Sequence, residues 1–121
     1  MQSNKMVETD VIHFNTMPSI YWDDNVKISY LQRRIIVYSI MYYEFDESCV
    51  PDSVYDGIAH QLVRLQRSVP LDEFKRSRYY YAMYDFDGST GFDIPSRLTK
   101  EDYEHLWKVA TMVYGQWKDG Q

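Results

Sequence analysis

A single cysteine, Cys49, stands in this chain of 121 residues. An internal disulfide is therefore excluded, and neither a Cys-x-x-Cys pair nor a Cys/His zinc spacing exists. The lone thiol suits a reducing compartment, so the chain reads as cytoplasmic. With 5 glycines and 4 prolines, it shows no low-complexity linker and no internal repeat. Apolar runs are short. None approaches membrane-spanning length, and the first residues lack the basic start and apolar stretch of a signal peptide. Positive charge is also scarce: 13 basic residues face 18 acidic ones, for a net charge of −5. That balance argues against a general nucleic-acid binder, which needs a cationic face for phosphates. Arg33-Arg34 and Lys75-Arg76-Ser77-Arg78 are the local exceptions, and they read as solvated helix faces.

What is abundant is tyrosine, with 12 residues against 5 phenylalanines and 3 tryptophans. Tyrosine suits a half-wet core or a contact surface, because the ring is apolar and its tip is polar. The chain is 45% hydrophobic and 26% charged. That composition forms a core, and the length allows one modest domain.

The apolar spacing predicts a small, mainly α-helical domain. Residues 1–24 read as an extended arm or short strand. Asp23-Asp24-Asn25 offers a helix start with acidic charge at the positive end of the dipole. Over residues 26–45, Ile28, Leu31, Ile35, Tyr38 and Tyr42 recur at helical spacing. Residues 46–51 break the pattern. Asp52 is placed to cap a second helix reaching about residue 69, with Tyr55, Ile58, Leu62, Leu65 and Val69 on its stripe and Pro70 as its stop. So short a connection makes an antiparallel hairpin, over residues 25–70. Residues 71–121 would then add an ambiguous segment at 72–84 that favours helix, a loop at 85–98 and a final helix to about residue 117. Thr99, with Asp102 three residues on, forms a plausible capping pair for that helix.

The joint of the hairpin gathers the chemistry. It holds Tyr42-Tyr43-Glu44-Phe45-Asp46, then Val50-Pro51-Asp52-Ser53-Val54-Tyr55-Asp56. Tyrosine rings stack on flat heterocycles, and carboxylates accept from ribose hydroxyls or attract a cationic ring. Tyr42-Tyr43-x-x-Asp46, the run from Val50 to Asp56, Leu62-x-x-Leu65 and Pro70 together resemble the small N-terminal helical subdomain of bacterial NAD-dependent DNA ligases. The match covers about a third of the chain. In that family the subdomain folds over NAD and holds its nicotinamide mononucleotide half. The resemblance implies contacts from Tyr42, Tyr43, Asp52, Tyr55 and Asp56. It also implies departures. The adenylating Lys-x-Asp-Gly motif is missing, its nearest counterpart being Lys118-Asp119-Gly120. No nucleotidyltransferase core fits this length. The chain is similar to stand-alone, ligase-related phage proteins and is expected to bind without catalysing.

Other patterns carry less. Asp85-Phe86-Asp87-Gly88-Ser89-Thr90 imitates a phosphatase nucleophile loop, without the downstream motifs or parallel sheet that such chemistry needs. As a calcium loop it lacks the sixth-position glycine and the closing acid. An Asx- and Gly-rich turn with a folded-in Phe92 is the simpler reading. Asp52, Asp56 and His60 recur every fourth residue on one helix face, either as metal ligands or as a solvated stripe. Two functional expectations follow. One is a module that binds NAD or nicotinamide mononucleotide. The other is an inhibitor of a host defence protein, acting through an acidic, tyrosine-rich surface of Glu44, Asp46, Glu47, Asp85, Asp87 and Asp93 that could imitate nucleic acid.

Overall fold

A computed structural model describes residues 22–45, 50–89 and 91–119. Among these, six helices and no strand are found: α1 (Asp24–Glu44), α2 (Asp52–Ser68), α3 (Leu71–Lys75), α4 (Tyr80–Met83), α5 (Ile94–Arg97) and α6 (Lys100–Asp119). The protein is mainly α, as the spacing predicts. The arm at 1–21, Cys49 and the acidic Asp46 and Glu47 lie outside the described residues. At the arm's end, Trp22 packs edge-on against Tyr30, with ring centroids 5.4 Å apart.

The hairpin forms with nearly the predicted bounds, but α1 is more than one half of a pair. It packs against α2, α6, α5 and α3. Between Tyr30 and Met41 every residue except Arg33 is buried. Ile36, Val37 and Ile40, off the predicted stripe, are as inaccessible as Ile28, Leu31 and Ile35. A helix that is apolar all round belongs in the centre of a fold. Tyr42 corrects the predicted stripe at its other end. It is 55% exposed, because the helix runs one turn past the core.

Burying a helix on all sides also buries its polar residues, and each must find a partner. Gln32 donates through Nε2 to Ser77 Oγ (3.1 Å) and accepts the Tyr79 backbone N–H (3.0 Å). Ser29 Oγ accepts the Arg78 backbone N–H at 2.8 Å. Two side chains of α1 thus satisfy the irregular backbone between α3 and α4. That segment is two short helices and a turn, rather than the single helix that the sequence favoured. Arg34 was expected on a solvated face, yet it is 4% exposed. Its Nε and Nη2 donate to the Tyr38 hydroxyl at 3.2 and 2.6 Å, so the guanidinium is covered by a tyrosine one turn away.

Around α1, α2 contributes Ile58, Ala59 and Leu62, and α6 contributes Leu106, Val109 and Ala110. The start of α6 follows the expected cap, since the Asp102 N–H donates to Thr99 Oγ1 at 3.2 Å. The start of α2 differs. Pro51 occupies the cap position, and no side-chain cap bond forms. Asp52 is the first helical residue, so its carboxylate stays outside the turn and complements only the helix dipole. The loop predicted at 85–98 contains α5, whose Ile94 is buried in the core.

Leu62 is fully buried where α2 meets α1. Leu62→Ala is expected to lower stability by about 2–5 kcal/mol in chemical unfolding. A loss below about 1 kcal/mol would contradict this packing.

Candidate functional site at the hairpin joint

The turn that carries α1 beyond the core sets Tyr42 and Tyr43 on the surface, 55% and 43% exposed. Their rings meet edge to face at 4.8 Å, and Phe92 continues the row at 6.1 Å from Tyr43. Phe92 is 69% exposed, which corrects its predicted inward position. Phe86 and Ile94 are the loop's inward anchors instead. Between them the backbone at Gly91 runs close against α1 and α2. A Cβ built there would lie 2.2 Å from Ser39 Oγ and 3.3 Å from the Tyr55 hydroxyl. A side chain there would force Ser39 or the strap to shift, and the neighbouring Phe92 is turned outward.

Tyr55 is half-buried beneath this strap, and its hydroxyl donates to the Ser89 carbonyl at 3.0 Å. Burial, then the charges of Tyr43 and Asp56, push its phenol up to about 12, while hydrogen bonding with Ser39 and the Gly91 backbone works the other way. Tyr43 and Asp56 are therefore each near enough for Tyr55 to feel them. Asp56 and Asp52 are both exposed on the first turns of α2. Asp52 makes no hydrogen bond among the described residues, so its oxygens are open to a ligand. The joint thus brings together exposed rings, a half-buried phenol and two solvent-facing carboxylates.

The acidic residues of the alternative surface are placed differently from one another. Glu44 lies beside Tyr103; burial, then the Glu44 charge and hydrogen bond, raise that phenol above its usual value. Arg97 holds Asp85 and Asp93, donating to Asp85 Oδ2 at 3.2 Å and Asp93 Oδ2 at 2.9 Å. Those hydrogen bonds keep the Asp85 carboxyl below its ordinary range. Asp87 Oδ1 accepts from the Ser89 backbone N–H (3.0 Å) and hydroxyl (2.6 Å). Gly88, at φ 94°, completes that Asx turn. This is the simple turn that the sequence suggested. Asp52, Asp56 and His60 are all exposed on α2, and among the described residues no group of three such side chains could hold a metal.

Sequence reasoning missed one cluster. Asp102 is only 7% exposed. It accepts from both terminal nitrogens of Arg78 and from the Tyr81 hydroxyl. Burial pushes its carboxyl up, but those bonds and the Arg78 charge outweigh burial and hold it below the usual range. Spacing could expose only the Thr99–Asp102 cap. The cluster ties α6 to the α3–α4 turn and is structural.

Compared with known proteins, the chain matches no family model, no curated protein and no solved structure.

Two outcomes test this geometry. Gly91→Ala is expected to cost about 1–3 kcal/mol through overpacking. In a Ser39→Ala background that cost is expected to fall below about 1 kcal/mol, because contacting sites couple. Strict additivity in a double-mutant cycle would show that the two residues do not meet. The second outcome concerns pH. A phenol whose folded pKa is raised stabilises the fold fully below its ordinary value of 10.0 and ceases to do so as pH climbs toward about 12. Phenolate absorbance should show Tyr55 ionising late, beside the raised Tyr103, and Tyr55→Phe should remove one late-ionising phenol while leaving the other. An unchanged titration curve in the variant would contradict the placement.

Proposed function

We propose that the protein is a non-catalytic binding module whose hairpin joint takes a nicotinamide nucleotide, nicotinamide mononucleotide or NAD. The observation that carries this reading is the outward placement of Tyr42 and Tyr43 on a helix whose other tyrosines, Tyr30 and Tyr38, are buried. Tyr42 and Tyr43 stand exposed at the end of α1, and Asp52 and Asp56 stand exposed at the start of α2, across the connection. Nicotinamide in the nucleotide is a flat cationic ring, and aromatic faces and nearby carboxylates both attract it. Tyr55 serves this site from below: its hydroxyl is committed to Ser89, so it fixes the strap that carries Phe92. The resemblance to the ligase subdomain supports nucleotide contacts from Tyr42, Tyr43, Asp52 and Asp56; it implies a contact from Tyr55 as well, whose hydroxyl bond to Ser89 favours a supporting role instead.

A second reading, contact with a host defence protein, draws on the outward Phe92, since exposed aromatic rings also anchor protein interfaces. It draws less on the acidic surface, because Asp85 and Asp93 are already paired with Arg97.

Calorimetric titration with nicotinamide mononucleotide tests the proposal. Tyr43→Ala should weaken binding about tenfold or more, the size of a desolvated cation–π contact. Asp56→Asn should weaken it less, by an amount that shrinks as salt rises. Tyr55→Phe keeps the ring and should retain most of the affinity. No heat and no ligand-induced melting shift at millimolar nucleotide would remove the reading.

A further inference from the structure

The arginines of this acidic chain are unevenly used. Arg76 pairs with Glu73, Arg78 with Asp102, and Arg97 with Asp85 and Asp93. Arg34 is covered by Tyr38. Arg64 and Arg67 make no hydrogen bond or ion pair among the described residues. Both are exposed on α2, on the same side as His60. The three line one groove of about 520 Å³, with Val63 as its apolar floor and Ser68 and Asp87 at its edges. The Asx turn supplies the far wall: a Cβ at Gly88 would touch Val63 at 3.5 Å and His60 at 3.9 Å. Asp87, the one acid there, is already engaged by Ser89 and feels the Arg67 charge.

We propose that this groove is an oxyanion site that takes a single phosphate group, either free or carried by a small monoester. Two guanidinium groups one helical turn apart offer forked donors that match phosphate oxygens. His60 adds an imidazole N–H in either protonation state. The groove is open to solvent, and the Asx turn borders it beside Val63 and His60, so an anion there would meet α2 on one side and the loop on the other. The end of the α2 dipole opposes an anion here, but by less than a charge-assisted arginine contact favours it. A net charge of −5 repels a long polyanion, which makes the ligand a single phosphate group rather than a nucleic-acid backbone. The same loop that forms this wall continues through Ser89 and Gly91 to the joint. Asp56 and Arg64 lie eight residues apart on α2, about 12 Å along the axis. A phosphate attached to a ligand at the joint could therefore be the group that fills the groove, although the groove does not depend on that ligand.

The test is titration of the full chain with inorganic phosphate at constant ionic strength, chloride as the counterpart, followed by amide and arginine side-chain NMR signals. The expected result is saturable shifts at His60, Arg64 and Arg67. The Arg64→Gln/Arg67→Gln double variant should weaken them about tenfold or more. Arg76→Gln, which removes an arginine outside the groove, should leave them unchanged. Tyr43→Ala should also leave them unchanged, so failure of the joint reading is seen separately. A parallel arm compares nicotinamide mononucleotide with its riboside. If the double variant weakens only the phosphate-bearing form, the ligand's own phosphate fills the groove; if inorganic phosphate alone saturates, the site takes a free anion. Either result supports the proposal. Shifts that are absent with both anions, or equal in wild type and the double variant, overturn it.

Discussion

The fold depends on one constraint: α1 is buried on every side by a chain of modest length. Between Tyr30 and Met41 only Arg33 is not buried, so α2, α6 and the short helices must all close over that stretch. The polar groups carried inside have to be matched. Gln32 and Ser29 do this by taking over the backbone donors between α3 and α4. That segment then has little need of regular structure, since its N–H groups are satisfied from the neighbouring helix. Two short helices and a turn replace one continuous helix.

The same constraint makes the joint. The core covers α1 only as far as Met41, and the next turn must face outward with whatever it carries. It carries two tyrosines. The strap from Asp85 to Asp93 is pinned at Phe86 and Ile94, pressed against Ser39 at Gly91 and held by the Tyr55 hydroxyl. A strap held so closely can turn Phe92 only outward, next to Tyr43. Electrostatics follow from this packing as well. Arg97 and Arg78 are drawn into holding the strap and α6, which quiets Asp85, Asp93 and Asp102. Arg64 and Arg67 are left on the outer face of α2. A chain with an acidic total thus has a locally basic groove.

The hairpin was legible in the sequence because α2 has one apolar stripe and Pro70 ends it. Burial of α1 on all sides was less legible. Ile36, Val37 and Ile40 were in view, but a stripe read at helical spacing discards what lies off it. The final helix and its Thr99 cap could be read locally. Asp102 could not be assigned, because its partners Arg78 and Tyr81 come from a distant segment. At the joint, residue types and spacing pointed to Tyr42, Tyr43, Asp52, Tyr55 and Asp56. Their different postures depend on tertiary packing: two rings out, one hydroxyl committed, one carboxylate a residue past the cap it was expected to form. Phe92 was misjudged for the same reason. Nothing local says that Gly91 must pass close over Ser39 and Tyr55. The groove of Arg64 and Arg67 depends on which other arginines find acids, and only the fold decides that.

The central claim is that the outward tyrosines and the carboxylates of α2 form one site. Mapping nicotinamide mononucleotide onto the protein by NMR tests it most directly, using tyrosine ring signals and backbone amides together. The account predicts that ring signals of Tyr42 and Tyr43 move with the amides of Asp52, Asp56 and Phe92, along one saturation curve. Perturbations gathered elsewhere, for example around Glu44, Tyr103 and Trp107, or no perturbation at all, would contradict it.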